Sequence, residues 1–229
     1  MRIGIIGASG NIGSRIHLEA ASRGHEIIAF TRSGAAARGP HWRNLDIFDL
    51  DALRAAVASV DVLVSAYHPG NSARDIGEAL GLAIADPTVY ARAAANLVKA
   101  LESRTAARAI VVGGAANLEI APGQTTDDDD EKLGQVFRSL GVPEEYAAAA
   151  KGHREALNVL RLSNRRWTCV SPSAEIYAGA RTGRFRIGGD QLLVDANGRS
   201  HISYEDFAAA ILDEVEEPRH IQRRFTVGY

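Results

Sequence analysis

The chain has 229 residues, 46% of them hydrophobic and 24% charged, with a formal net charge of −2. A chain of this length can bury a large core, and the composition is that of a globular protein, not a disordered or fibrous one. The near-balanced charge supplies no electrostatic basis for holding nucleic acid or an anionic membrane.

One cysteine, Cys169, rules out an internal disulfide and suits a reducing compartment. It lies in the apolar run 167–170 and reads as a packing residue, not a reactive thiol. No apolar run approaches the roughly 18 residues of a membrane span, and the apolar segment in residues 1–7 is too short for a secretory signal. The expectation is a cytoplasmic protein, monomer or homodimer, without nucleic-acid or membrane partners. No repeat or low-complexity linker divides it. Residues 1–229 read as a single domain, with a small substrate-side lobe from about residue 172.

Residues 2–6 form an isoleucine-rich run of the kind buried on both faces of a sheet. Gly7, Gly10 and Gly13 follow at three-residue intervals, and residues 11–23 then read as a helix stopped by Gly24. Strand, glycine turn and helix in this order make the phosphate-binding corner of a dinucleotide fold. Gly7 permits the tight turn, Gly10 lets backbone approach a pyrophosphate, and Gly13 lets helix and strand pack closely. Gly7, Ala8, Ser9, Gly10, Asn11 and Ile12 then offer backbone amides at the positive end of the helix.

Further strands are expected at residues 26–30, 42–45, 61–66 and 109–112. Asp49 caps a helix reaching Ala58, residues 67–74 form a loop, and an alanine-rich helix covers about 88–104, with Pro87 at its start. Strand and helix alternate with short connections, which implies an α/β fold of Rossmann type. Its doubly wound parallel sheet carries helices on both faces. The alternation lapses over residues 115–142, read as a long functional loop. Its run of aspartates, residues 127–130, reads as a solvated stretch and not as a metal site; no metal is expected. Pro143 opens a helix to about Leu162, with Glu144 and Glu145 in its first turn. Residues 167–171 form a sixth strand, 185–187 and 192–194 a hairpin, and 224–227 a last strand. Ser203 caps a final helix through Val215, with Asp206 at its third position in a near-relative of the capping box.

The end of the second strand in such a fold meets the adenosine ribose, where a carboxylate selects NAD and a cation accommodates a 2′-phosphate. The segment here is Thr31-Arg32-Ser33. Arg32 can hold a phosphate bidentately, flanked by two hydroxyl donors, with Arg15 as a second cation, so NADP (NADPH) is expected over NAD. Asp46 is placed to bind the adenine amine, with Ile47 beside it, and Ala66 and Tyr67 to line the crevice.

These residues together resemble the atypical short-chain dehydrogenase/reductase (SDR) proteins, in their NAD(P)H-binding, NmrA-like branch. That branch includes NADH–flavin reductases and biliverdin-IXβ/flavin reductases. The matching segments are Gly7 to Gly13, Phe30-Thr31-Arg32, Leu45-Asp46-Ile47-Phe48-Asp49 and Val111-Val112-Gly113-Gly114-Ala115. Ser171-Pro172-Ser173-Ala174-Glu175-Ile176, Thr182-Gly183 to Asp195, Ile202-Ser203 and Phe225 to Tyr229 continue it, so the resemblance covers nearly the whole chain. It implies a fold and a cofactor more specifically than a substrate.

Most short-chain dehydrogenases use a serine after the fifth strand and a Tyr-x-x-x-Lys pair. Here Gly113-Gly114-Ala115-Ala116 carries no hydroxyl. Tyr146 and Lys151 are five apart, about 140° around a helix, whereas four apart gives about 40°. Lys151 is expected to pair with Glu155. An acceptor that needs no enzymic acid is favoured: a flavin, as substrate rather than bound cofactor, or a quinone. Its pocket is expected beyond strands four to six, with Gly113, Pro172 and Ser173 on the cofactor side. Backbone amides of Ser173 and Ala174 are placed to fix the carboxamide. His68, Gly114, Tyr146, His153, Ala174 and the 115–142 loop form the pocket wall. Tyr146 and His153, seven apart and on one helix face, are the candidates for a catalytic role. The alternatives are a non-catalytic NADP(H) sensor and a sugar-nucleotide epimerase or dehydratase. The last needs a working Tyr–Lys pair, against which the spacing speaks.

Overall fold

The computed structural model describes residues 1–70, 76–139 and 141–229. In chain order the first half runs β1 (Arg2–Ile6), α1 (Asn11–Ser22), β2 (Glu26–Thr31), β3 (Trp42–Asn44), α2 (Leu50–Ala58), β4 (Val62–Ser65), α3 (Ile76–Ala85), α4 (Val89–Leu101) and β5 (Arg108–Val112). The second half runs β6 (Glu119–Ala121), β7 (Gln124–Thr125), α5 (Asp130–Ser139), α6 (Tyr146–Arg161), β8 (Arg166–Ser171), β9 (Glu175–Tyr177), β10 (Arg186–Gly188), β11 (His201–Ser203), α7 (Tyr204–Glu216) and β12 (Arg223–Gly228).

Among the described residues, eight strands form one sheet in the order β10-β12-β8-β5-β4-β1-β2-β3. Every neighbouring pair is parallel except β10 against β12. This is the Rossmann-like α/β arrangement expected. The central strands have helices on both sides, so β4 is buried throughout and β1 in all but its first residue; hence their continuous apolar runs. On one face Ile16 and Ala20 of α1 meet Phe207 and Ile211 of α7. On the other, Leu53 of α2 and Leu97 of α4 form one cluster, and Leu157 and Leu160 of α6 join Tyr90 and Trp167 in another. Phe207 and Phe225 are fully buried, each stabilising the fold by about 1.5–3 kcal/mol.

The expected helix ends hold. Gly24, at φ 75°, stops α1. The Asp49 carboxylate accepts from the Ala52 amide at 3.0 Å, and the Ser203 hydroxyl from the Asp206 amide at 3.0 Å. The Asp206 carboxylate closes no capping box, however. It accepts from the Thr182 and Gly183 amides, the Thr182 hydroxyl and the Tyr229 phenol, tying the C-terminal tyrosine to α7.

Four expectations need correction. The helix expected from Pro143 begins at Tyr146, because Pro143 and Glu144 accept in a tighter turn from the Tyr146 and Ala147 amides. The expected hairpin between 185–187 and 192–194 does not form. β10 pairs with the free edge of β12, and the Leu192 amide donates to the Glu119 carbonyl. The 115–142 stretch is not plain loop, since it contains the β6–β7 hairpin and α5. Its aspartates are not simply solvated. Asp129 caps α5 through the Lys132 amide at 3.0 Å, and the fully buried Asp127 side chain pairs with Arg154. α3 lay outside the expected elements. Residues 71–74 of the loop expected at 67–74, and residue 140, lie outside the described residues.

Candidate nucleotide and acceptor site

The sheet order reverses at β1, which has β2 on one side and β4 on the other. The crossovers leave in opposite directions there and open a crevice at the carboxyl ends. Gly7 sits at φ 74°, a conformation that favours glycine. A Cβ on Gly13 would lie 2.1 Å from the Gly7 carbonyl oxygen, so only glycine lets α1 start this close to β1. Gly10 is the extended N-cap and no side chain caps α1, which leaves its leading amides facing the crevice for an anion. Ala8 is buried and donates to the Phe30 carbonyl at 3.2 Å; Asn11 is exposed, and Ile12 packs against the core.

A cleft runs from this turn across β2 to β4. Gly7, Ser9, Thr31, Arg32, Asp46, Ile47, Tyr67 and His68 line it, so the structure gathers residues named from four separate segments. Arg32 and Ser33 are exposed. Thr31 is turned inward, its hydroxyl donating to the Ser33 carbonyl at 3.2 Å, so it is not a free donor as expected. The Asp46 carboxylate accepts from the Phe48 amide at 2.9 Å. Burial pushes the Tyr67 phenol up to about 12, with Asp46 reinforcing the rise and Arg32 opposing it. Arg15, expected as a second phosphate cation, donates to Glu205 at 3.2 Å and covers the Tyr204 ring. Ala66 is buried at the crevice floor, its amide donating to the Ile6 carbonyl at 3.0 Å.

A second cavity adjoins the first through Tyr67 and Ile47, with Ser65, Tyr90, Val111, Val112 and His153 among its walls. Its rings form a chain. Phe48 meets Tyr67 edge-on at 5.8 Å, Tyr67 meets Tyr90 at 6.5 Å, and His68 meets Tyr90 at 6.0 Å. His153 and Tyr90 lie face to face at 3.9 Å. Burial pushes the His153 imidazole down to about 3, with His68 adding to the drop, and burial lowers His68 as well. The Gly70 amide donates to His68 Nδ1 at 3.0 Å, which leaves the proton of the neutral ring on Nε2.

Gly114 is the floor under His153, since a Cβ there would come within 3.0 Å of the imidazole. At Gly113 a Cβ would lie 2.8 Å from the Cys169 sulfur. Cys169 is buried in the core as expected, and burial pushes its thiol up to about 12. Tyr146 begins α6 with its ring edge-on to Phe137 at 5.3 Å and its phenol beside that of Tyr90. Tyr146 and His153 thus converge on Tyr90, whereas Lys151 pairs with Asp130 and not with Glu155. Pro172 is buried. The Ser173 hydroxyl donates to the Val227 carbonyl at 2.9 Å, and the Ala174 amide donates to the Ser200 hydroxyl at 3.1 Å. The Ala174 amide is therefore taken up inside the fold and does not face a carboxamide as expected. Among the described residues no group of three or more His, Cys, Asp or Glu is arranged to hold a metal, and no helix is long and apolar enough to cross a membrane.

Tyr90 and Phe48 were not among the expected site residues. Tyr90 is the one aromatic residue in α4, VYARAAANLVKAL, and that isolation among alanines was its signal.

The profile of the NAD(P)H-binding family matches residues 7–218. Protein YwnB of Bacillus subtilis, whose function is uncharacterized, is 35% identical over 231 residues, covering 99% of this chain and 98% of its own. A Bacteroides thetaiotaomicron structure provisionally named an epimerase is 34% identical, with a TM-score of 0.79 over 100% of this chain and 96% of its own. A Streptococcus pneumoniae structure provisionally named an NADH-flavin reductase is 27% identical, with a TM-score of 0.80 over 100% and 99% of the two chains. The glycine cradle, with its uncapped helix and the position a Cβ would fill, fits a dinucleotide pyrophosphate, and the chain belongs to the NAD(P)H-binding family.

Proposed function

We propose that this protein is an NADPH-dependent oxidoreductase that passes hydride to a flavin, a quinone or a similar small acceptor without a Ser-Tyr-Lys set. A bound nicotinamide nucleotide supplies the hydride. The chain's own part is to hold the pyrophosphate on the amides of residues 7–12, to meet a 2′-phosphate with Arg32, and to exclude water around the acceptor.

The observation that carries this reading is the character of the second cavity. Its walls are mostly apolar side chains and neutral rings, and His153 within it and His68 in the adjoining cleft have lost basicity through burial. Lys151 is engaged by Asp130, and Gly114 takes the place of a hydroxyl donor. Such a lining offers a flat conjugated acceptor apolar contact and no enzymic acid, and leaves its proton to come from water. The name of the S. pneumoniae structure supports the same reading, and the epimerase reading lacks the Tyr–Lys pair it needs. NADPH preference is supported by the exposed Arg32 and the absence of a carboxylate at the end of β2.

Purified protein mixed with NADPH and FMN, riboflavin or a naphthoquinone should consume NADPH, followed by loss of its near-ultraviolet absorbance. Tight nucleotide binding with no turnover on any acceptor would contradict it and favour an NADP(H) sensor.

A further inference from the structure

Tyr90 is 4% exposed, and its hydroxyl is buried with no hydrogen-bond partner among the described residues. The Tyr146 phenol lies beside it, and the two hydroxyls interact without a hydrogen bond of ordinary geometry. A buried hydroxyl left unpaired destabilises a fold, and phenylalanine would fill the same space without that penalty. The hydroxyl therefore has the character of a group held for a ligand. Its surroundings point the same way: the ring lines the second cavity, His153 covers one face, and His68 stands 6.0 Å away.

We propose that Tyr90 Oη is the hydrogen-bond donor that holds the acceptor, and that it selects conjugated acceptors presenting a carbonyl oxygen, as quinones do. This rests on the oxidoreductase reading. Burial and the neighbouring phenol push the Tyr90 pKa strongly upward, so the group donates a hydrogen bond and keeps its proton. Reduction of a quinone balances without it: hydride comes from the nucleotide, one proton comes from water, and hydroquinone leaves.

The test is Tyr90→Phe against wild type, with a naphthoquinone and with N-methylphenazinium, a hydride acceptor that has no carbonyl. The dissociation constant of the naphthoquinone, measured with NADP⁺ bound so that no turnover occurs, should rise about tenfold in the variant. KM for the naphthoquinone should rise in step, N-methylphenazinium should be affected less than about twofold, and the unfolding midpoint should not fall. In wild type, the infrared carbonyl stretch of bound naphthoquinone should move to lower wavenumber, a readout that needs no variant. Equal losses with both acceptors, unchanged naphthoquinone affinity, an unshifted carbonyl stretch or a wild type that binds no naphthoquinone would each overturn the assignment. Quinone binding that depends on Tyr90 without any turnover would sustain it and sink the oxidoreductase reading alone.

Discussion

The His153 imidazole lies with its ring centre 3.9 Å from that of Tyr90 and its plane tilted by 31°. The contact joins α4 to α6 over the glycine turn that follows β5, where burial, with His68 adding to it, holds the histidine neutral. Burial pushes the folded His153 down to about 3 from an ordinary 6.5, so below about pH 6.5 the unfolded chain takes up a proton that the folded chain refuses. Stability is fully present above that pH and is lost as pH falls, by about 1.4 kcal/mol per pH unit for each such group. His68 and His17 are also lowered and act with the same sign. Urea unfolding should show this decline between about pH 6.5 and about pH 4, with a shallower slope in His153→Gln. An identical slope in wild type and variant would contradict the neutral stack.

Gly13→Ala should abolish nucleotide binding. The added Cβ would meet the Gly7 carbonyl oxygen at 2.1 Å, a backbone contact that no rotamer can relieve, so α1 must back away from the turn and carry its amides with it. Calorimetry on the folded variant checks this. Wild-type affinity would show that the turn does not need the close approach.

At the amino ends of β5 and β8, Arg108 donates to the Glu214 carbonyl at 2.9 Å and to its carboxylate at 3.3 Å. The two side chains are 5% and 2% exposed. The same carboxylate accepts from the Thr168 hydroxyl and the Arg219 and His220 amides. Glu214→Ala leaves a buried guanidinium without its partner and should cost about 3–5 kcal/mol in chemical denaturation. Nucleotide affinity should be unchanged, because this network sits at the end of the sheet opposite the crevice.

Arg32→Ala should weaken NADPH binding by about tenfold or more while leaving NADH nearly unaffected, since only the former carries the 2′-phosphate that a guanidinium can hold. Equal losses for both nucleotides, or none, would remove Arg32 as the phosphate reader.

The architecture and the nucleotide corner were legible because their signals are local. Gly7, Gly10 and Gly13 lie within one turn, Asp49 and Ser203 cap helices that begin at the next residue, and the buried strands are uninterrupted apolar runs. What stayed hidden depends on partners distant in the chain. Asp127 looks solvated until Arg154 arrives from 27 residues away. β10 looks like half of a hairpin until the edge of β12 offers it a longer ladder. Lys151 had two carboxylates within reach, and only the placement of α5 decides for Asp130. Tyr90 carries no motif, and its place at the centre of the acceptor wall follows from the way α4 and α6 pack together.

The central claim, that the amino-terminal glycine turn cradles a nicotinamide dinucleotide and Arg32 reads its phosphate, is tested most directly by titrating the purified protein with NADPH and with NADH in a calorimeter. Saturable binding of one molecule per chain, tighter for NADPH than for NADH, is the predicted result. Absence of heat from either nucleotide at millimolar concentration would contradict it.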